Sequence, residues 1–186
     1  EGVNFECNTE IGKTISVEEI NLNFDAILLA TGSTIKRNLP IKGSDLKGVI
    51  QAMDFLPHNN KFVDRQHKLL NKFNAKNKNV IVIGGGDTGS DCIGTSNRHG
   101  ASSVTNFEIM PKPSKDRTED YPWPFWPVKL KTSSSHKEGS KRKWSILTKE
   151  FIGDKNGNLK SLKTVEVEWE KTEGEKLNLK EIPKSE

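Results

Sequence analysis

The stretch that most constrains this chain is residues 79–100, NVIVIGGGDTGSDCIGTSNRHG. Val80, Ile81, Val82 and Ile83 form an unbroken apolar run, the pattern of a strand buried on both faces of a parallel sheet. Three glycines follow at once, and Gly84, Gly86 and Gly89 stand at G-x-G-x-x-G spacing. Each has its own mechanical task. Gly84 allows the tight turn off the strand, Gly86 lets a diphosphate approach the backbone, and Gly89 lets the next helix pack closely on the strand. Asp87 is predicted to cap that helix, leaving the free N–H groups of its first turn facing a phosphate. Arg98 and His99 fall in the last turn, where positive charge complements the dipole, and Gly100 is placed as the left-handed stop. A second apolar strand is predicted over 104–109. Residues 80–109 therefore read as a β-α-β half of a dinucleotide site. The glycine spacing alone is a weak signal; the flanking strands and helix make it specific.

The bulk properties narrow the rest. A chain of 186 residues is about one domain, or parts of two. Hydrophobic residues make up 32% and charged residues 29%, which predicts a soluble chain with a thin core. A net charge of +4 is too balanced to indicate nucleic acid. The two cysteines, Cys7 and Cys92, make no CxxC and no metal pattern, so neither a disulfide framework nor a redox dithiol is expected within this stretch. No signal peptide, initiator methionine or apolar run of about 18 residues is visible, so no membrane span is expected. The start at Glu1 reads as a fragment or a processed segment.

Taken in order, residues 3–7 and 14–20 suggest short strands. Residues 24–30 suggest a buried apolar strand running into the small-residue turn Ala30, Thr31, Gly32 and Ser33, a second place where backbone can approach a flat ligand. A helix is predicted over 51–56, ended by Pro57, and rough helical spacing follows over 61–73. After Ile109, five prolines surround Tyr121, Trp123, Phe125 and Trp126. Such a loop is expected to be ordered by burying its rings, in preference to serving as a polyproline ligand. Residues 132–143 read as a solvated, mobile loop, with Lys137, Lys141, Arg142 and Lys143 as a wet surface. The end reads as an antiparallel meander: a strand over 144–152, an Asn156-Gly157 turn, a strand over 159–170, a Glu173-Gly174 turn and a strand over 177–182. The fold class is thus α/β, a parallel sheet with helices plus an antiparallel meander.

These segments together resemble a known family. VIVIGGGDTGSDCIGTSNRHGASSV, FEIMPKP, YPWPFWP, LTKEFIGDKNG and VEVEWEK resemble the small-subunit-like region of the glutamate synthases, over residues 25–186. The eukaryotic single-chain, NADH-dependent form looks most similar. The resemblance implies a nicotinamide-binding domain (58–186, C-terminally incomplete) inserted in an FAD-binding domain (part of it at 1–57). It implies FAD beside Ala30, Thr31 and Gly32, and a nicotinamide dinucleotide at Gly84, Gly85, Gly86, Asp87, Thr88 and Gly89. The implied reaction is hydride transfer from reduced nicotinamide to FAD. Electrons then pass through iron–sulfur clusters to an FMN in the large amidotransferase domain or subunit, the implied partner, where glutamine and 2-oxoglutarate become glutamate. The family's N-terminal FAD fingerprint, its upstream cluster cysteines and the segment closing its flavin site are not in this sequence. Residues 132–140, TSSSHKEGS, depart from its tyrosine- and histidine-containing pattern. The segment is therefore expected not to act alone.

Hydride transfer needs two rings held face to face, and the cofactors perform the chemistry, so no side chain is nominated as a catalytic acid or base and none as a metal ligand. His99 reads as a helix C-terminal residue and His136 as a loop residue without a partner. Glu108 lies nineteen residues beyond Gly89, at the end of the second strand. An acid there bonds the ribose 2′-hydroxyl and repels a 2′-phosphate, which predicts NADH; Lys112, Lys115 and Arg117 nearby leave NADPH open. Two rival readings are another flavin-dependent NAD(P)H oxidoreductase of the same architecture and a non-catalytic nucleotide-binding or basic partner-binding module. The compartment is not legible.

Overall fold

The structure, a computed structural model, describes residues 2–33, 35–119, 121–126, 128–171 and 177–185. The chain divides into two units, Glu1–Thr34 and Ile35–Glu186.

The first unit carries a single described helix, α1 (Val17–Asn23). The Ser16 hydroxyl caps it by accepting from the Glu19 N–H at 3.0 Å, and Glu18 and Glu19 lie in its first turn. That S-x-x-E spacing is a helix-start signature, and it prevails over the β-branched residues that suggest a strand at 14–20. The strands expected at 3–7 and 24–30 do not form. Leu28 and Leu29 are 90% and 83% exposed. An apolar strand holds only where neighbouring strands take its backbone groups, and the described residues of this unit include none. Ala30, Thr31 and Gly32 accordingly lie on exposed, irregular chain.

The second unit holds α2 (Ala52–Val63), β1 (Asn79–Ile83), α3 (Gly86–Arg98), β2 (Ser103–Phe107), α4 (Ser134–Lys137), β3 (Lys141–Lys143), β4 (Ile146–Gly153), β5 (Leu159–Lys171) and β6 (Leu177–Glu181). Strands β1, β2 and β3 form a parallel sheet in that order, with Val80 opposite Val104 and Phe107 opposite Lys143. Strands β4, β5 and β6 form the antiparallel meander. The expected α/β class and the β-α-β unit are both present. The Glu173-Gly174 turn lies outside the described residues. The two sheets meet at Glu108: its N–H donates to the Lys143 carbonyl at 2.8 Å, and its carbonyl accepts from the Ile146 N–H at 3.0 Å.

Four expectations are corrected. First, β1 is an edge strand of its sheet, so its apolar run is not buried on both faces; Val80 and Val82 are half-buried while Ile81 and Ile83 are exposed. Second, α2 runs through Pro57 to Val63. Proline removes one intrahelical bond, and bonds beyond it offset the loss: His58 Nε2 accepts from the Leu70 N–H, and Asn59 Oδ1 pairs with His99 Nε2. Third, the 132–143 stretch is helix α4 followed by β3. Ser133 and His136 form a reciprocal capping box, and Lys141, Arg142 and Lys143 pair with Thr105, Asn106 and Phe107. Fourth, the proline-aromatic loop buries its rings only in part: Tyr121 and Trp126 are half-buried. Trp123 and Phe125 are 81% and 70% exposed. Arg117 organises the loop instead, donating to the Tyr121 and Phe125 carbonyls, while its guanidinium lies 5.1 Å from the Trp126 ring centre.

The core is thin, as expected, and α3 is its centre. The buried face of α3 is Ser90, Cys92, Ile93, Gly94, Thr95 and Ser96, mostly small side chains that allow close approach. On the meander, Val165 and Val167 are buried and Glu166, Glu168 and Glu170 exposed, the alternation the sequence predicts.

Candidate functional site

The candidate site is the turn from β1 into α3. Gly84 donates its N–H to the Phe107 carbonyl at 2.8 Å, which ties the turn to the end of β2. Gly84 and Gly86 have φ of 102° and 78°, left-handed values that L side chains avoid, and a Cβ on either would meet nothing within 4 Å. Both positions therefore face open space. Gly89 is tight for a different reason: a Cβ there would lie 2.7 Å from the Gly84 carbonyl oxygen and 3.8 Å from Val82 Cγ1. Gly84 and Gly86 are thus glycines by backbone conformation and Gly89 by close packing.

Asp87 is not the cap. The N-cap is Gly85, and no side chain caps α3; Asp87 and Thr88 lie exposed in its first turn. The helix starts two residues earlier than a capping Asp87 requires. The carboxylate still complements the dipole from inside the turn, but the first N–H groups are left without a side-chain acceptor. An uncapped helix start behind an open glycine turn can hold an anionic group on backbone N–H donors. The C-terminus follows expectation: Arg98 is in the last turn, and Gly100 (φ 82°) donates to Asn97 while Ala101 donates to Ser96, closing the helix.

Glu108 lies immediately beside this turn. The Gly85 position faces its carboxylate so closely that a Cβ there would come within 2.8 Å of Glu108 Cδ. Glu108 Oε1 accepts from Arg142 Nη2 at 2.9 Å, and both side chains are 16% exposed. Arg142 Nη1 donates to the Lys131 carbonyl at 2.9 Å, and its guanidinium lies 4.9 Å from the Trp144 ring centre. His136 completes the surroundings. Burial, then the Arg142 charge, holds its imidazole below the usual histidine range, with Glu108 countering in part. Helix α4 is fastened to α3 by the Ser90–Ser133 hydroxyl pair, by Arg98 with Glu138, and by Asn97 donating to Gly139 at 2.7 Å.

Two contributors, Asn106 and Arg142, went unseen in the sequence, and Gly85, nominated there for the dinucleotide, has a further task. Asn106, fully buried on β2, donates from Nδ2 to the Val82 and Gly84 carbonyls at 3.1 and 2.8 Å and so staples the turn. Gly85 makes room for Glu108. Arg142 was hidden in a run that reads as surface; three consecutive cations carry no alternation of polarity, and only the burial of β3 singles out the middle one. His99 does not face the turn: its Nδ1 accepts from the Ala75 N–H and its ring meets Phe55 edge-on at 5.5 Å, a structural contact between helices. Burial, then Arg98, holds it below the usual histidine range. A separate, largely apolar cavity of about 640 Å³ is walled in part by Phe55, Val80, Val82, Cys92 and Phe151, and none of residues 84–89 lines it. Among the described residues, no helix is long and apolar enough to cross a membrane and no metal-holding cluster of His, Cys, Asp or Glu occurs.

Over residues 2–171 the sequence matches the family described as pyridine nucleotide-disulphide oxidoreductase. The chain belongs to this family. Its resemblance to the glutamate synthases is also borne out. It is 45% identical over its whole length to glutamate synthase (NADH) of Saccharomyces cerevisiae, and 45% to that of Schizosaccharomyces pombe, spanning 9% of each relative. It is 42% identical to the glutamate synthase (NADPH) small chain of Bacillus subtilis, again over its whole length and over 39% of the relative. Among solved structures, Mycobacterium tuberculosis FprA in complex with NADPH matches 96% of this chain over 51% of its own, with TM-score 0.58 and 15% identity, a likeness of fold.

As a member of the pyridine nucleotide-disulphide oxidoreductases, this chain carries two unpaired cysteines with unlike surroundings. Cys7 is exposed and Cys92 buried on α3. Burial, aided by the Asp91 charge, pushes the Cys92 thiol up to about 11. Thiolate is the reactive form. Iodoacetamide at mildly alkaline pH is therefore expected to label the Cys7 peptide and spare the Cys92 peptide until the fold is unfolded, as read by peptide mass spectrometry. Equal labelling of both under native conditions would contradict the burial of α3.

Proposed function

We propose that this chain is the pyridine-nucleotide-binding part of a glutamate synthase, serving hydride transfer from NADH to FAD. One observation carries the reading: an uncapped α3 N-terminus opens behind a glycine turn at the carboxyl ends of parallel β1 and β2, with an acid directly after β2. Open α/β sheets bind ligands at that end. The N–H groups of Gly86, Asp87, Thr88 and Gly89 would hold the diphosphate, Gly84 and Gly86 would leave it room, and Glu108 would take the adenosine ribose. When bound, the nicotinamide and flavin supply the hydride chemistry. The chain's own residues bind and orient, so no acid or base is required of them.

Glu108 supports NADH over NADPH. The 2′-phosphate of NADPH brings about two negative charges, and each unit charge about 4 Å from a carboxylate costs about 4 kcal/mol at an effective dielectric near 20. Arg142 offsets part of that repulsion. Sequence identity alone does not separate the two cofactors, since NADH-dependent relatives stand at 45% and NADPH-dependent small chains at 42–44%. The resemblance supports assigning residues 1–57 to an FAD domain and 58–186 to the nicotinamide domain, with FAD beside Ala30, Thr31 and Gly32. Those three residues lie on exposed chain and form no cradle of their own. The iron–sulfur clusters, the FMN and the amidotransferase partner would belong to the rest of the full-length protein.

Anaerobic mixing of the intact protein with NADH tests the reading. The visible flavin absorbance is expected to bleach within the mixing time, and NADPH is expected to act much more weakly. A protein that holds flavin yet keeps its colour with both nucleotides would overturn the proposed transfer.

A further inference from the structure

Glu108 does not stand alone at the end of β2. Its backbone is fixed on both sides, by Lys143 and Ile146, and its carboxylate spans the gap between Arg142 and Gly85. Arg142 comes from β3 and turns inward while Lys141 and Lys143 face solvent. The Lys131 carbonyl and the Trp144 ring hold its guanidinium in place. Nη2 and Nε lie along one edge of that guanidinium, the edge suited to a bidentate anion. Glu108 takes Nη2, while Nε is buried without a partner.

We propose that Arg142 is a specificity-determining residue of the dinucleotide site: a preformed guanidinium edge for a 2′-phosphate, masked by Glu108. The inference rests on the reading of residues 84–89 as the dinucleotide cradle. In the paired state the two side chains are neutral together, Glu108 is oriented by Arg142, and its second oxygen is held towards Gly85 and the start of α3. That arrangement leaves an acceptor for a ribose hydroxyl and keeps the Arg142 guanidinium from a phosphate. A buried ion pair contributes little net stability compared with apolar packing, so the main consequence of this one is what it presents to a nucleotide. Removing the carboxylate alone leaves a rigid, uncompensated guanidinium next to the position of the ribose. The preference then swings towards the 2′-phosphorylated cofactor without any new positive charge.

The test is a double-variant cycle in the intact protein, reading dissociation constants for NAD⁺, NADP⁺ and 2′,5′-ADP by titration calorimetry. The wild type is expected to favour NAD⁺. Glu108→Ala is expected to tighten NADP⁺ and 2′,5′-ADP by about tenfold or more, the scale of one charge-assisted hydrogen bond. Glu108→Ala with Arg142→Met is expected to lose that gain, and Glu108→Ala with Arg142→Lys to keep part of it, since lysine restores the charge without the fork. Arg142→Met alone is expected to weaken NAD⁺ severalfold as Glu108 loses its orienting partner. Unfolding midpoints on the same samples separate loss of fold from loss of preference. If Glu108→Ala gains the same 2′-phosphate affinity with or without Arg142, the assignment of Arg142 is overturned while the cradle stands. If the folded wild type binds none of the three nucleotides, the cradle itself is overturned and this inference falls with it.

Discussion

Alanine at Gly86 is expected to abolish dinucleotide binding while the fold survives, whereas alanine at Gly89 is expected to damage both. The two glycines are three residues apart and lack a side chain for different reasons. Gly86 has φ of 78° and open space where its Cβ would stand. An alanine there costs about 1–2 kcal/mol of left-handed strain, and its methyl projects into the space proposed for the diphosphate. Gly89 has no such strain, but its Cβ would lie 2.7 Å from the Gly84 carbonyl oxygen. Overpacking of this kind costs about 1–3 kcal/mol, and the helix propensity gained by alanine returns about 1 kcal/mol. The relief open to the chain is for the first turn of α3 to retreat from Gly84, which widens the cradle. Calorimetric titration with NAD⁺ and a thermal melt on the same samples check both. Unchanged NAD⁺ affinity in Gly86→Ala would remove the phosphate from this turn.

The second large effect is expected at Asn106. It is fully buried, and its amide nitrogen donates to the Val82 and Gly84 carbonyls at 3.1 and 2.8 Å. Asn106→Asp replaces that donor with a carboxylate facing two carbonyl oxygens. A buried, unpaired charge costs about 3–5 kcal/mol, so the group binds a proton and its pKa in the folded state rises above the unfolded value. The folded state then holds more protons than the unfolded one between those two pKa values. Stability of Asn106→Asp is therefore greatest below the unfolded carboxylate pKa and is lost as pH rises through the folded one. Asn106→Ala, with no group to titrate, is expected to lose about 1–3 kcal/mol without that slope. Denaturant unfolding across mildly acidic to neutral pH tests the pair. Parallel pH profiles for the two variants would show that Asn106 does not staple the turn as described.

The legible parts of this protein are those where local chemistry and the fold agree. Four apolar residues, three spaced glycines and a helix stop at Gly100 fall within one stretch, and β1, α3 and their turn follow from it. The meander was legible for the same reason: Val165 and Val167 alternate with glutamates, and Asn156-Gly157 marks the turn between β4 and β5. The misreadings share a cause. The apolar run at 24–30 has the composition of a strand but no strand among the described residues of its own unit to pair with. The lysine-rich run at 141–143 has the composition of a wet loop, but β2 offers it a free edge. Pro57 signals a helix end, yet contacts of His58 and Asn59 carry α2 past it.

Backbone conformations that only glycine adopts cheaply, and apolar spacings that only one element satisfies, are set by neighbours along the chain, and so the amino acids alone determined the glycine turn between β1 and α3. Which charges face that turn is set by strand order and by residues far along the chain from it. Only the assembled sheet brought Arg142 from β3 against Glu108, set that carboxylate against Gly85, and aimed Asn106 at the loop carbonyls.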